Sequence, residues 1–185
     1  ELNEEEKEIA ESFDLITSKP FMYIANVAED EANIDSENFI KLRDYLKTYD
    51  PHAPLIKISA KIEQELSAFD EDEKITYLKE LGFDSPGLDR IIKAGYKLLS
   101  LETFFTAGED EVKAWTVQAG TKAPKAAGKI HSDIERGFIR AEVTDIEKLF
   151  EVKTEQKAKE LGYTRIEGKD YIIKDGDVVY FRFNV

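Results

Sequence analysis

The sequence predicts an α/β unit with parallel strands and helices, followed by a smaller α+β domain. Two apolar runs, at residues 21–25 and 55–58, flank a helical pattern, and a short polar motif follows each run. Near Leu101 the pattern changes, because shorter alternating stretches replace the longer helical ones. A strand–helix–strand unit of this length predicts parallel neighbours and a right-handed crossover, which bring both motifs to one edge of a sheet.

The first half of the chain predicts four helices around these two strands, which we expect to be buried. Residues 1–18 read as the end of a helix, because apolar side chains recur there at spacings of three and four. Asp35 or Ser36 can cap the next helix. Gly82 is the predicted stop of the third helix, and residues 86–87 lead into the fourth.

The second half predicts short strands wrapped round one or two helices. Strand-like alternation appears at residues 112–119 and again at 138–143, with a short helical stretch at 126–136 between them. Asp145 can cap a further helix, and residues 171–185 read as a hairpin around an Asp-Gly turn. This order of elements is typical of a small α+β domain of the ubiquitin-like (β-grasp) kind.

The composition is acidic and lacks cysteine. The chain has 185 residues, a net charge of −13 and no cysteine. The lack of cysteine excludes a disulfide scaffold and a thiolate zinc site, and it suits a cytoplasmic protein. No apolar run approaches the roughly 18 residues that a membrane span needs, so we expect no membrane association. The negative net charge argues against non-specific electrostatic binding of the whole chain to nucleic acid.

One local set of basic side chains could still contact RNA or the ribosome. Its members are Lys122, Lys125, Lys129, Arg136 and Arg140. His131 and Asp133 lie nearby and could suggest a metal or acid–base pair. With two histidines in the chain and no cysteine, a role at the start of a helix is the favoured interpretation, and we predict no metal site.

The two polar motifs after the apolar runs are Asn26-Val27-Ala28-Glu29 and Ser59-Ala60-Lys61. Alone, the first could simply begin a loop after a buried strand, but the second favours a base pocket at the end of a nucleotide-binding sheet. The phosphate loop G-x-x-x-x-G-K-[ST] does not occur in the sequence. We therefore predict a base pocket whose phosphate pocket lies elsewhere. The chain begins at Glu1 rather than Met, which fits a fragment or a processed product.

Longer motifs follow one another in a fixed order along nearly the whole chain. In the first half they comprise Lys19, Pro20, Tyr23, Asn26, Val27 and Glu29, then residues 59–61. In the second half they comprise residues 104–108, 126–133, 137–143, 168–171 and 175–185. Together these motifs resemble the C-terminal half of the Obg-like ATPase family of the YchF type, within the translation-factor class of P-loop NTPases.

The resemblance implies a domain organisation. Residues 1–18 would be the returning arm of a helical domain inserted in a P-loop G domain, and residues 19–100 the C-terminal part of that G domain. Residues 101–185 would form a TGS domain. The phosphate loop, the magnesium-binding residue and the catalytic residues would all lie upstream, so no catalytic residue is carried over to this chain.

The resemblance also implies a function: a cytoplasmic, ribosome-associated protein that binds and hydrolyses ATP, with GTP as a second nucleotide. The Mg²⁺ ion would be held by the upstream half, and the partner would be the ribosome or one of its subunits. The alternative is a non-enzymatic binding module, in which a ubiquitin-like domain recruits RNA or protein partners without using nucleotide. An upstream phosphate loop would discriminate between the two.

The implied base-binding residues are Asn26, Val27, Glu29, Ser59, Ala60 and Lys61. Most GTPases have Asn-Lys-x-Asp at the first motif, where the Asp accepts two hydrogen bonds from guanine. Glu29 is one methylene longer, and Val27 lacks the lysine stem, so both changes weaken guanine selection. We expect Asn26 to orient either the base edge or the phosphate loop, and the Lys61 stem to cover one face of the base.

Overall fold

The computed structural model describes residues 3–108 and 111–184, and the chain divides into two compact units between Leu98 and Leu99. The first unit contains a pair of parallel strands and five α-helices among the described residues. They are α1 (Glu4–Ser12), β1 (Tyr23–Asn26), α2 (Glu37–Tyr49), β2 (Leu55–Ile58), α3 (Ala60–Leu66), α4 (Glu71–Glu80) and α5 (Gly87–Leu98). Single 3₁₀ turns lie at Ile16–Ser18 and Glu29–Glu31.

The parallel pairing predicted for the two strands is confirmed. Tyr23 lies opposite Leu55, and the register continues to Asn26 opposite Ile58. The connecting helix α2 begins where predicted, since the Ser36 hydroxyl accepts from the Phe39 N–H at 3.4 Å. Asp70 and Glu73 form a capping box at the start of α4, and Gly82 follows that helix with a φ of 75°.

Burial of the first strand differs from the prediction. Ile56 of β2 is buried, but Ile24 of β1 is 47% exposed. Among the described residues β1 pairs with β2 alone, so its second edge and part of its surface are uncovered. The apolar core of this unit instead lies between the helices, where Ala32, Ile62, Leu66 and Leu78 pack together.

The helix predicted over residues 1–18 is shorter than expected. It ends at Ser12, and Asp14 then adopts a left-handed φ of 48°, which no continuing α-helix allows. Ile16 is 80% exposed, so its apolar spacing does not reflect packing against a core. Glu1 and Leu2 lie outside the described residues.

The second unit is a five-stranded mixed sheet with helices. Its elements are β3 (Leu101–Ala107), β4 (Val112–Gln118), α6 (Ala123–Ile130), α7 (Ser132–Arg136), β5 (Phe138–Asp145), α8 (Ile146–Val152), α9 (Glu155–Glu160), β6 (Arg165–Glu167) and β7 (Asp177–Phe183). The strand order is β4-β3-β7-β5-β6. The first and last strands, β3 and β7, are parallel neighbours, and the other pairs are antiparallel.

The core of the second unit depends on small residues in α6. Ala123, Ala126 and Ala127 are fully buried against the sheet, where Ala141 is also fully buried. Their short side chains let the helix approach closely, and aromatic rings fill the remaining space. Phe181 contacts Phe104 edge-on, with ring centroids 5.9 Å apart.

The predicted C-terminal hairpin is wrong. The Asp-Gly turn exists, since Gly176 has a φ of 84°, but the segment before it does not pair with β7. Ile172 instead bridges to Lys122, and the Ile173 N–H donates to the Thr121 carbonyl at 3.0 Å. The turn therefore leads into a strand whose partners, β3 and β5, are distant in sequence. Val185, the predicted end of the hairpin, lies outside the described residues.

Candidate functional site

The two polar motifs of the first unit leave the sheet side by side. Asn26 and Ile58 form the last paired positions of β1 and β2. The Val27 N–H then donates to the Ile58 carbonyl at 2.8 Å, which extends the pairing by one residue. Because the strands are parallel, the motif after each strand emerges at the same edge of the sheet.

Asn26 joins the two motifs directly. Its side-chain Oδ1 accepts a hydrogen bond from the Ala60 N–H at 3.0 Å. Ala60 is the first residue of α3, and the first N–H groups of a helix have no partner within it. Ser59, the N-cap residue, makes no side-chain cap, so Asn26 supplies one from the other motif. The Asn26 Oδ1 is therefore already used in a contact within the protein. The predicted contact of Asn26 with the base edge or a phosphate loop stays a prediction.

An open cavity of about 650 Å³ lies between the motifs. Its lining comprises Asn26, Val27, Ala28, Glu29, Asp30, Ser59, Ala60, Lys61 and Leu81. The six residues predicted to bind a base are all among them. Pockets for small molecules typically have volumes of about 300–1,000 Å³, so this one can admit a purine base. By contrast, a cavity beside Thr144 in the second unit is only about 20 Å³.

The Lys61 ammonium forms an ion pair with the Glu29 carboxylate beside the cavity. That the Lys61 stem covers one face of the base stays a prediction. The hydrogen bond that Lys61 donates to Glu29 raises the pKa of Lys61 above its ordinary value, with further contributions from the charges of Glu29 and Glu65. Lys61 and Glu29 therefore line the cavity as a bonded pair, and Asp30 lines it beside them.

Ser59 presents a buried hydroxyl at the same place. The residue is 4% exposed, and its Oγ has no hydrogen-bond partner among the residues that the structure describes. Buried polar side-chain atoms are paired in the large majority of cases, so this unpaired hydroxyl is an exception. The sequence identified Ser59 through its motif but held no sign of this burial.

Glu63 is a supporting residue that the sequence analysis missed. Its carboxylate accepts from the Gly87 N–H at 2.7 Å and from the Leu88 N–H at 3.2 Å, which holds the start of α5 against α3. A Cβ on Gly87 would lie 2.6 Å from Glu63 Oε1 and 2.8 Å from Ile58 Cγ2. The Pro-Gly sequence before α5 was the available signal for this close approach.

The predicted basic set does not form one surface. Three members are paired with acids: Lys122 with Asp170 at 2.7 Å, Lys125 with Glu135 at 2.6 Å and Arg136 with Asp133 at 2.8 Å. Within residues 3–108 and 111–184, Lys129 and Arg140 form no ion pair. The local positive charge is therefore smaller than the sequence suggested.

Arg140 also lies on another face of the sheet. Its neighbour Ala141 is buried against α6, and successive strand residues point to opposite faces. In the register of β5 and β7, Arg140 lies opposite Arg182. The lysines of α6, namely Lys125 and Lys129, therefore occupy a different surface from Arg140.

His131 has the structural role that the sequence favoured. It is the N-cap of α7, and its Nδ1 accepts from the Asp133 N–H at 3.2 Å. No group of three or more metal-ligating side chains is found among the described residues. In the same part of the chain, no helix has the length and apolarity to cross a membrane.

Comparisons with known proteins match both units. Residues 101–184 match the family model YchF-GTPase_C, described as "Protein of unknown function (DUF933)". The chain is 50% identical over 187 residues to the Ribosome-binding ATPase YchF of Bacillus subtilis, a match that covers 100% of this chain and 50% of that protein. It is 48% identical over 183 residues to Obg-like ATPase 1 of Caenorhabditis elegans, covering 98% of this chain and 46% of that protein.

A solved structure agrees with these matches. The Schizosaccharomyces pombe YchF GTPase superposes with a TM-score of 0.84 at 36% sequence identity. The similarity covers 98% of this chain and 48% of that one. The chain thus spans about half the length of the curated relatives it matches.

Proposed function

The chain belongs to the Obg-like ATPase family of the YchF type and corresponds to its C-terminal half, and from this premise we propose that residues 19–100 supply the base-binding part of an ATP site. The proposal rests on one observation above all. The hydrogen bond from the Ala60 N–H to Asn26 Oδ1 ties two motifs 34 residues apart into one cavity. If the first motif were only a loop that follows a strand, it would need no hydrogen bond to the second motif.

Hydrogen-bond polarity supports adenine as the preferred base. Guanine offers two adjacent donors, N1–H and the exocyclic amine, which a carboxylate can accept together. Adenine offers one donor at N6 beside an acceptor at N1, so a carboxylate gains less from it. The carboxylate of the motif, Glu29, is already bonded to Lys61, and Asp30 follows it in the cavity lining. The Asn26 amide, which carries both a donor and an acceptor, suits a base with mixed polarity.

The phosphate-binding half of the site belongs, in this proposal, to residues outside these 185. No G-x-x-x-x-G-K-[ST] sequence occurs in the chain, and phosphoryl transfer depends on positioning the γ-phosphate and its Mg²⁺. The exposed Ile24 on a two-stranded sheet is consistent with further strands in the full-length protein. Residues 1–18 would then be the returning arm of an inserted helical domain.

The second unit is proposed to be a ubiquitin-like TGS domain. Its first and last strands lie parallel in the middle of the sheet, and antiparallel strands flank them, with α6 packed on one face. This arrangement supports the β-grasp assignment. We propose that the domain serves a cytoplasmic protein that acts with the ribosome. The name of the Bacillus subtilis relative supports the ribosome part, since it calls that protein ribosome-binding.

The nucleotide proposal is tested by titrating the full-length protein and its Asn26→Ala variant with ATP. Losing the Asn26 acceptor frees the Ala60 N–H and loosens the cavity, so we expect affinity to fall by about tenfold. Asn26→Asp keeps the acceptor for the Ala60 N–H but replaces the amide donor with a charged oxygen, so it separates the link to Ala60 from the contact of the amide with the base. The 185-residue chain alone should not hydrolyse ATP. Equal affinity for the wild type and Asn26→Ala would contradict the proposal, and no measurable ATP binding by the full-length protein would favour the non-enzymatic binding module.

The ribosome contact is tested separately on the two basic surfaces. We expect Lys125→Glu with Lys129→Glu to weaken ribosome co-sedimentation, more steeply at low salt than at high salt. Arg140→Glu, on the other face of the sheet, is the comparison variant. An effect of Arg140→Glu alone would move the contact to that face, and no effect of either would remove the basic set from the ribosome contact.

A further inference from the structure

The ion pair inside the candidate base cavity is part of a longer arrangement. Lys61 bonds Glu29 and also lies 3.9 Å from Glu65 Oε1, one turn further along α3. Glu65 in turn accepts a hydrogen bond from the Tyr77 hydroxyl at 2.5 Å. We call this arrangement, Glu29–Lys61–Glu65 with Tyr77, the Lys61 bridge. It runs from the cavity to helix α4.

We propose that Lys61 is a positioning residue that holds Glu29 away from guanine and so strengthens the preference of the site for adenine. This inference rests on the proposed nucleotide function and goes one step beyond it. The length of Glu29 alone disfavours the pairing that a shorter Asp makes. The Lys61 bridge adds a second obstacle to guanine binding, because it occupies the Glu29 carboxylate itself.

The obstacle is a competition for the carboxylate oxygens. Recognition of guanine by a carboxylate uses both oxygens, one for N1–H and one for the exocyclic amine. In the structure the Lys61 ammonium bonds Glu29 Oε2. A guanine base would have to displace this ammonium or donate one hydrogen bond to the carboxylate in place of two. Adenine makes no such demand, because its edge offers a single donor there.

The far end of the bridge keeps Lys61 in place. Lys61 lies between two carboxylates, and Glu65 is fixed by the Tyr77 hydroxyl, whose pKa is raised to about 12 by that hydrogen bond, then by burial and by the charge of Glu65. The Tyr77 ring packs edge-on against Phe69 with centroids 5.2 Å apart. The side chain of Lys61 is 65% exposed, so the ion pair itself is weak, and its effect on selectivity is limited accordingly.

The test compares ATP and GTP affinities of the full-length protein with those of Lys61→Met, which keeps the stem and removes the ammonium. We expect the affinity ratio to move toward GTP by up to about fivefold, the range that exposed ion pairs allow. Adding Glu29→Gln to Lys61→Met should cancel the shift, since no carboxylate is left to release. Lys61→Arg should retain the preference for ATP.

A matched control removes an exposed ion pair elsewhere in the same unit. Lys47 pairs with Asp44 at 3.0 Å on α2, away from the cavity, and Lys47→Met changes the net charge by the same amount. We expect it to leave the ratio unchanged. An equal shift in Lys47→Met would overturn the inference, because the effect would then come from overall charge.

The outcomes for Asn26→Ala and Lys61→Met distinguish a failure of this inference from a failure of the proposed nucleotide function. If Asn26→Ala leaves the binding of both nucleotides unchanged, the nucleotide proposal fails. If Asn26→Ala weakens binding but Lys61→Met keeps the wild-type ratio, only the role of Lys61 is overturned. If Lys61→Met lowers the thermal midpoint of unfolding of the protein, Lys61→Gln is used in its place. An unchanged ratio of ATP to GTP affinity in the folded Lys61→Gln variant would contradict the inference equally.

Discussion

Two residues of the first motif, Val27 and Glu29, stand where most GTPases have Lys and Asp. Combining Val27→Lys with Glu29→Asp in the full-length protein should move the preference from ATP toward GTP by about tenfold, because a shorter carboxylate can accept both guanine donors. Paired titrations with the two nucleotides measure the ratio. An unchanged ratio would show that this motif does not read the base edge.

Glu142 of β5 supplies a pH-dependent contribution to the second unit. Its side chain is 11% exposed, and hydrogen bonds from Arg182 at 2.8 Å and from Lys159 lower its pKa below the ordinary value, although burial opposes this. A lowered folded-state pKa means that the contribution is present above the ordinary glutamate pKa. It is lost as the pH falls through the lowered value.

We therefore expect Glu142→Gln to reduce the free energy of unfolding by about 1 kcal/mol at neutral pH, and the difference from wild type to shrink below about pH 4. Urea unfolding followed by fluorescence of Trp115, the only tryptophan, reports on this unit alone. Glu151→Gln, in an exposed pair with Lys148, is the control and should change little. A difference that persists undiminished at pH 3 would contradict this assignment.

The sequence identified the two motifs that line the cavity but not the contacts between them, nor Asp30 and Leu81 in the lining. Asn26, Glu29 and Lys61 stood out because their motifs follow two apolar runs. The bond from Ala60 to Asn26 and the pairing of Lys61 with Glu29 join residues more than 30 positions apart. Such contacts depend on the register of two strands and on side-chain rotamers, which no local pattern encodes.

At the scale of elements, the start of β5 depends on a close backbone approach at Gly137. A Cβ there would lie 2.8 Å from the Asn184 carbonyl carbon and closer still to its oxygen. We expect Gly137→Ala to destabilise the second unit by about 1–3 kcal/mol through this clash, measured by the fluorescence of Trp115 in urea. Gly168→Ala is the control, because a Cβ at Gly168 meets nothing within 4 Å. Equal stability of the two variants would contradict the close approach.

Elements with strong local signals were predicted and others were not. Strand β2 and helix α5 were found close to their predicted positions, since a short apolar run and a strong apolar periodicity mark them. Helix α3 was missed, although Ile62 and Leu66 bury one face, because the motif before it was read as a loop. The C-terminal hairpin failed because an Asp-Gly turn is compatible with a strand that pairs with distant partners.

At the scale of the whole molecule, the family resemblance predicted from ordered motifs is confirmed by the relatives, whereas the two domain identities stay predictions. We expect residues 99–185 to fold when cut between Leu98 and Leu99, since the core of that unit is formed within it. A cooperative urea transition of the isolated unit, matching that of the longer chain, is the expected result. A non-cooperative transition would mean that the unit needs the rest of the chain.

The central claim is that the cavity between the two motifs binds the adenine base of ATP. Photo-crosslinking of the full-length protein with 8-azido-ATP, followed by mass spectrometry of the labelled peptides, tests it most directly. We predict adducts within residues 23–31 or 55–66, and their loss when unlabelled ATP competes. ATP-protected adducts found only outside these two segments would contradict the claim.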